Sequence, residues 1–481
     1  MRSTRRPREQ RPPWRAAVLA ASLLAGGSAA AGTLLSDPLD TRAALSRGSY
    51  GFADPGARDC ALPGGPLTLG EAVDLALCRN PATRGAWAAA RQQAAALGIA
   101  EASRLPSVTA TGSENWIRGP RLASTGVLLE PEQRTADAAL ELSLTLFDFG
   151  GRRARVASAR ALLDAASASA SSVSQQVVLA AVEAYYGVVA ADGAFGAAKS
   201  AEAAAAHSLE VARGRREAGV ATRADVLQAE TAFDQAVLTR VQAAGTLKGA
   251  HGGLAVTLGA AADRNFELAA DPVPAEVPVL SAKIGDLMAE AARQRPDLAA
   301  AESARAAAEA DVTVARATGR PTLSVGAARN FVQTPGSPNQ NYNTLALSVT
   351  VPIFTGFDTT YRVRAAQATL AAREANAEQI RLQVSLDVWK AYAELDSASQ
   401  QLKATSALLA SARENEEVAL GRYQAGVGTI VDVLTAQSAA AGARQQRIGA
   451  EQAWQVARAE LALSIGRLTS AEPLATAGAA R

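Results

Sequence analysis

Few residues in this 481-residue chain could do chemistry, and the most regular of them are two carboxylates in one repeated setting, Thr222-x-x-Asp225 and Thr429-x-x-Asp432. At that spacing a threonine oxygen accepts the N–H of the third helical residue. The carboxylate of that residue accepts the threonine N–H in return, so two orphan donors of a helix start are satisfied together. Each step follows a reversal, Ala218-Gly219-Val220 or Ala425-Gly426-Val427, in which Gly219 and Gly426 free the backbone to turn. Cys60 and Cys78 are the only thiols, 18 apart. In an oxidising compartment the even count predicts a disulfide between them, with two separate buried thiols as the alternative. His207 and His251 lie far in sequence from each other and from both cysteines, so no metal site is expected. H-E-x-x-H, G-x-x-x-x-G-K-[ST] and G-x-S-x-G are absent, and Gly426-x-Gly428 lacks the third glycine and the preceding strand of a dinucleotide fingerprint. No catalytic residue and no cofactor is expected.

Formal charges of +48 and −46 nearly cancel, and without residues 1–31, which hold six Arg and one Glu, the balance is about −3. No nucleic-acid partner is expected, since such a protein carries a basic stripe. Hydrophobic residues make up 48% but aromatics only 4%, with Ala dominant, a composition that suits long helices packed through small side chains. Arg2, Arg5, Arg6, Arg8, Arg11 and Arg15 precede an apolar run at 16–25 and an A-x-A site at Ala29-Ala30-Ala31. Residues 1–31 therefore read as a secretory signal; a membrane anchor is the alternative, for which the apolar run is short. No Cys stands at Gly27-Ser28, so a lipid-modified start is not expected. No later stretch holds 18 strongly apolar residues, and no membrane-crossing helix is expected.

The elements that position these residues are written twice. Residues 211–230 and 418–437 are identical at twelve of twenty positions, at an offset of 207. Upstream the offset becomes 215, pairing Pro81 with Pro296 and Pro106 with Pro321, so a loop between Pro106 and Phe147 differs by eight residues. A period this long marks a duplicated domain half. The expected order is an N-terminal segment at 32–67, a first repeat at 68–259, a linker at 260–290, a second repeat at 291–466 and a tail at 467–481. Each repeat holds a helix ending before Pro106 or Pro321, two strands, and a long helix over 152–217 or 359–424 that reaches about 100 Å at 1.5 Å per residue. Val178, Val182, Tyr185 and Val189 mark its predicted buried seam.

The strands, near 107–117, 137–147, 322–331 and 343–353, point to a membrane. Leu140, Leu142, Leu144 and Leu146 alternate with polar Glu141, Ser143 and Thr145, as Leu345, Leu347 and Val349 alternate with Ala346 and Ser348. A soluble sandwich would alternate too. Strand lengths near 9–11 residues and aromatics at the segment ends (Trp116, Phe147, Phe149, Phe331, Tyr342, Phe354, Phe357) favour a transmembrane barrel with those leucines and Val349 facing lipid. Four strands cannot close alone, and an open edge in lipid leaves backbone groups unpaired. An eight-stranded barrel is filled by its own side chains, so a channel needs three or four chains.

Asn80-Pro81, Arg295-Pro296-Asp297, Leu105-Pro106, the paired A-G-V-x-T-x-x-D-V-L turns and the opening TLGEAVDLALCRNP at 68–81 make the chain resemble the TolC family of outer-membrane channel-tunnels over residues 66–467. The resemblance implies an α+β membrane protein: a homotrimer whose long antiparallel helical hairpins form an α-barrel tunnel, with four strands per chain in a shared twelve-stranded barrel. It implies outer-membrane lipid around the barrel, a periplasmic adaptor (membrane fusion) protein and an ATP-driven inner-membrane transporter as partners, and no catalysis. The unlipidated start and the Cys pair look most like members serving type I secretion of large protein toxins of the RTX or adenylate cyclase type; efflux of drugs or metal ions is the alternative cargo. In the family the hairpin tips form the closed periplasmic entrance, ringed by acidic residues that match Asp225 and Asp432, and Tyr423 matches an aromatic that holds the entrance shut. Capping by Thr222 and Thr429, and plain packing of Tyr423, are the simpler roles. Three Asp432 on a threefold axis would repel, raise one another's pKa and attract cations. The chain departs from the family where Gly428 replaces a basic residue and Thr435 a second acidic one.

Overall fold

A computed structural model describes residues 37–45, 52, 60, 65–119, 121–122, 128–129, 132–269, 283–334 and 338–468. The signal segment, residues 270–282 of the linker and nearly all of the tail lie outside the described residues. The elements in order are α1 (Thr41–Leu45), α2 (Leu69–Arg79), α3 (Pro81–Ala102), β1 (Ser107–Arg118), β2 (Arg121–Leu122), β3 (Leu128–Leu129), β4 (Glu132–Phe147), α4 (Gly151–Glu217) and α5 (Arg223–Thr257). The second half repeats them as α6 (Ile284–Gln294), α7 (Pro296–Ala317), β5 (Thr322–Gln333), β6 (Gln340–Thr350), α8 (Asp358–Gln424) and α9 (Ile430–Ser464). α4 and α8 are 67 residues each, and α5 and α9 are 35. The eight extra residues of the first repeat fall around the small β2–β3 ribbon. α6 starts inside the stretch read as linker, so the second repeat begins at Ile284, the counterpart of Leu69.

Proline and capping set the helix starts. Thr68 and Glu71 form a reciprocal capping box for α2. Pro81 and Pro296 occupy first helical positions, where a missing N–H costs nothing. α5 and α9 end in glycines of left-handed backbone, Gly259 and Gly466 (φ 70° and 81°). A Cβ there would lie 2.8 Å from the backbone of Arg79 or Gln294, so only glycine lets these helix ends meet the α2–α3 and α6–α7 junctions.

Two units divide the chain, one holding Arg91–Asp164 and Ser303–Glu374, the other Gly48–Ala90, Ala165–Glu302 and Ala375–Arg481. In the first, β1-β4-β5-β6 form one antiparallel sheet, joined across the repeats by β4 and β5. Directly paired residues share a face, and the register lines up Val108, Leu142, Ala327 and Leu345 in one row and Leu144, Val325 and Leu347 in the next. The other face carries Thr109, Glu141, Ala328 and Thr344, then Ser143, Gly326 and Ala346. The expected alternation is corrected at Leu146: a bulge between Thr145 and Phe147 drops it from the register, and Phe147 pairs with Leu323 instead. Among the described residues neither face of the sheet is covered: Leu345 and Leu347 of one face are 80% and 68% exposed, and Glu141, Ser143 and Thr344 of the other are exposed as well. β1 and β6 are edge strands.

The second unit is where the chain buries apolar surface. Val384, Val388, Leu395 and Leu402 of α8 pack with Trp454 and Leu461 of α9 and Leu287 and Leu298. Val178, Val182 and Tyr185 of α4 are buried, but Val189 is 40% exposed and Val188 continues the seam. The expected 4-3-4 spacing follows a straight helix of about 3.6 residues per turn, and the step back to Val188 brings the seam toward the repeat of about 3.5 residues at which packed helices stay in register. Tyr185 donates to the carbonyl of Ala269 (3.0 Å), beside the Leu67–Leu268 bridge. Contrary to expectation, one described helix is long and apolar enough to cross a membrane: α4 contains an 18-residue window of mean hydropathy 1.4, with 44% of it buried. Alanine and valine packed against neighbouring helices account for that apolarity.

Also in this unit, burial, a hydrogen bond to Glu394 and the charges of Glu394 and Glu183 push Glu460 up to about 7 from its ordinary 4.5. A carboxyl raised in the folded state stabilises the fold below the unfolded pKa, and that contribution is lost as pH rises through the folded value. Thermal stability should therefore fall between about pH 4.5 and 7 in the natural protein. Glu460→Gln should flatten the profile in that window, which differential scanning calorimetry at stepped pH would test.

Candidate functional site at the hairpin tips

Both hairpin turns fold by the same local rule. Gly219 donates to the Arg216 carbonyl (3.0 Å) and Val220 to the Arg215 carbonyl (2.9 Å); Gly426 and Val427 do the same to Tyr423 (3.1 Å) and Arg422 (3.0 Å). The glycines take φ of 75° and 82°, the left-handed C-terminal stop of a helix. Three residues after the glycines, Thr222 and Thr429 cap the returning helices. Asp225 and Asp432 each donate N–H to the threonine hydroxyl (3.2 Å in both), and their carboxylates accept the threonine N–H at 2.7 and 3.1 Å. Hydrogen bonds from the backbone and side chain of Thr429 hold the Asp432 carboxyl below its usual range. Within one chain the cap thus opposes the rise expected from neighbouring carboxylates, and Asp432 stays exposed and charged. Gly428 has a packing reason: a Cβ there would lie 3.1 Å from the Tyr423 nitrogen and 3.2 Å from the Arg422 Cβ. Thr435 is exposed.

Tyr423, 4% exposed, is the centre of the tip packing, against Leu209, Ala212, Val226, Ala229, Ile430 and Val433 of both hairpins. Burial pushes its phenol above the ordinary value. Arg215, which sequence reasoning had not singled out, reaches from the end of α4 to the end of α8. Its Nη1 donates to the carbonyls of Tyr423 (2.7 Å) and Gln424 (3.5 Å), and its guanidinium lies 4.8 Å from the Tyr423 ring centre. A cation at a helix C-terminus satisfies orphan carbonyls and complements the dipole. A signal was available: Arg215 and Arg422 are identical at the repeat offset, each four residues before its turn glycine. Gln437 adds a second link between the hairpins, donating to the Ser208 hydroxyl at 2.9 Å.

The remaining expected residues lie elsewhere. Cys60 and Cys78 are joined as a disulfide, Cα atoms 5.9 Å apart, tying the segment before Gly65 to α2. Leu140, Leu345, Leu347 and Val349 are exposed on the sheet, and Leu142 and Leu144 half-buried. Among the described residues no cluster of His, Cys, Asp and Glu could hold a metal ion.

The sequence pattern of the family described as "Outer membrane efflux protein" matches residues 72–260 and 287–467, nearly all of both repeats. The chain belongs to this outer membrane efflux protein family. It is 34% identical to Protein CyaE of Bordetella pertussis over 386 residues, covering 79% of this chain and 80% of that one. It is 24% identical to the outer membrane efflux protein BepC of Brucella suis over 84% and 86% of the two chains. Among solved structures, the outer membrane protein VceC from Vibrio cholerae superposes with a TM-score of 0.72 at 18% identity, over 83% of this chain and 96% of that one. The resemblance to the TolC family, the helical-hairpin-plus-sheet fold and the outer-membrane location are thereby borne out. The chain is an outer membrane channel protein of a family that is not enzymatic.

Proposed function

We propose that three copies of this chain form the channel-tunnel of a tripartite export system, working with a periplasmic adaptor and an ATP-driven inner-membrane transporter, and that its cargo is a large protein toxin exported by type I secretion. The observation that carries the assembly is the bare sheet. One face is a continuous set of Leu, Val and Ala rows, and among the described residues both edges are unpaired and nothing covers either face. In lipid such edges must find partners. Pairing β6 of one copy with β1 of the next removes them all at once, and three copies give twelve strands around a space wide enough to conduct. On the helices, Leu382, Leu386 and Trp389 of α8 are an exposed apolar stripe at i, i+4, i+7 spacing, suited to burial by a neighbouring copy.

Toxin export is supported by the similarity to Protein CyaE and by the early cysteine pair. Efflux of drugs or metal ions is the second reading, favoured by the family's description and by BepC. Deleting the chain and assaying the medium for a secreted toxin, alongside drug and metal sensitivity, separates the two. Loss of secretion without sensitisation supports the first, and sensitisation with intact secretion the second.

At the entrance, Asp225, Asp432 and Tyr423, with Thr222, Thr429 and the turn glycines Gly219 and Gly426, form the gate and the adaptor-docking tip. Asp432→Ala would remove three negative charges from the mouth of the trimer. Cation selectivity and divalent-cation block in planar bilayers should both fall. Thr429→Ala should instead cost about 1 kcal/mol of helix-end stability and loosen the closed state. Unchanged selectivity and block in Asp432→Ala would leave that residue as a helix cap alone.

A further inference from the structure

The margin of the sheet from which the helices leave carries an excess of arginine. Arg104 ends the run before β1, Arg152, Arg153 and Arg155 open α4, Arg316 and Arg320 precede β5, and Arg362 and Arg364 open α8. Asp148 and Asp358 are the acidic residues of these same segments, so the margin is +6 per chain. The opposite margin, residues 113–137 and 329–343, holds four Arg and four acidic residues and is neutral. The surplus is one surface: a Cβ on Gly151 would lie 3.0 Å from Ala317, one on Gly319 would lie 2.7 Å from Thr359, and the Arg320 guanidinium lies 5.7 Å from the Phe149 ring.

The acids are already occupied. Asp148 pairs with Arg152 at 3.3 Å and Asp358 with Arg362. Among the described residues, no carboxylate lies within ion-pair distance of Arg153, Arg155, Arg316 or Arg364, and all four are exposed. The Asp148 carboxylate accepts the Arg152 N–H at 2.7 Å and pairs with its guanidinium, which leaves Arg153 and Arg155 as surplus cations at the positive end of the α4 dipole, where a further anion is favoured. Exposed aromatic turns border the arginines. Phe147 and Phe149 stack edge to face at 4.8 Å, Phe354 and Phe357 at 5.5 Å, and Phe149 and Phe357 accept left-handed φ of 52° and 65°. Bulky residues seldom adopt that backbone, and aromatic rings suit the headgroup level of a bilayer.

We propose that this margin is a binding surface for anionic phospholipid headgroups of the leaflet on the helical side. Arginine forks match phosphate oxygens, and basic residues beside a membrane span attract anionic lipid. The inference rests on the reading of the sheet as the membrane-spanning part. The test uses the full chain in nanodiscs of phosphatidylcholine alone or with phosphatidylglycerol, read by co-purified lipid and by melting temperature. Wild type should retain phosphatidylglycerol about tenfold over phosphatidylcholine, melt higher in its presence, and lose the preference in high salt. R153Q/R155Q/R316Q/R364Q should lose the preference while assembling normally in phosphatidylcholine. Equal retention of both lipids by wild type would overturn the proposal whether or not the variant folds. So would a variant that keeps the preference but no longer binds the adaptor, since the surface would then serve an acidic protein. Failure of wild type to enter either nanodisc would overturn the membrane reading itself.

Discussion

Leu144→Arg should abolish assembly into the outer membrane, whereas Ser143→Arg, one residue away, should leave most of it intact. Leu144 lies in the apolar row with Val325 and Leu347, while Ser143 lies opposite Gly326 and Ala346 on the polar face. If the apolar face meets lipid, an arginine there costs about 2–4 kcal/mol near the midplane, and on the other face it meets water. The cost is paid in every copy of an assembly, so the effect on the amount of folded protein should be large. Membrane fractionation with heat-modifiable mobility on gels gives the readout. Equal tolerance of the two substitutions would mean that the alternation does not report lipid exposure.

Arg215→Ala should open the entrance. Arg215 is a charge-assisted donor to the end of α8 and a cation over the Tyr423 ring, and it joins two hairpins that otherwise meet there through apolar packing around Tyr423 and the Gln437–Ser208 hydrogen bond. A hydrogen bond from a charged group contributes about 1.5–3 kcal/mol, which shifts a closed-to-open equilibrium by roughly ten- to a hundredfold. In planar bilayers the variant should show a larger mean conductance. Arg215→Lys, which keeps the charge and loses the fork, should be intermediate. Arg213→Ala is the control, because Arg213 pairs at the surface with Glu230 of its own hairpin at 3.4 Å and such pairs contribute little. A conductance change as large in Arg213→Ala as in Arg215→Ala would dissociate the latch from gating.

The repeats, the long helices and the strands were legible because each rests on local rules. Proline before a helix, glycine after one, period-2 alternation and Thr-x-x-Asp all act within a few residues. What escaped was set by contacts between segments far apart in sequence. Arg215 acts on a carbonyl 208 positions away, a relation no local pattern encodes. The bulge that drops Leu146 from the ladder depends on how β4 meets β5, and alternation read along β4 alone does not register it. The step of the α4 seam from Val189 to Val188 is set by packing against neighbouring helices, which favours a repeat of about 3.5 residues over the straight-helix period read along α4 alone. The Gly428 departure likewise became intelligible only from the close approach of Tyr423 and Arg422, which would crowd a Cβ there.

The central claim is that the chain is one third of a barrel, completed by pairing β6 of one copy with β1 of the next. Native mass spectrometry of the protein extracted from outer membranes in mild detergent tests it most directly. The account predicts a single species of three copies, lost together with membrane assembly in Leu144→Arg. A monomer, a dimer or a tetramer as the extracted species would contradict it, because none of these turns four strands per chain into a twelve-stranded channel.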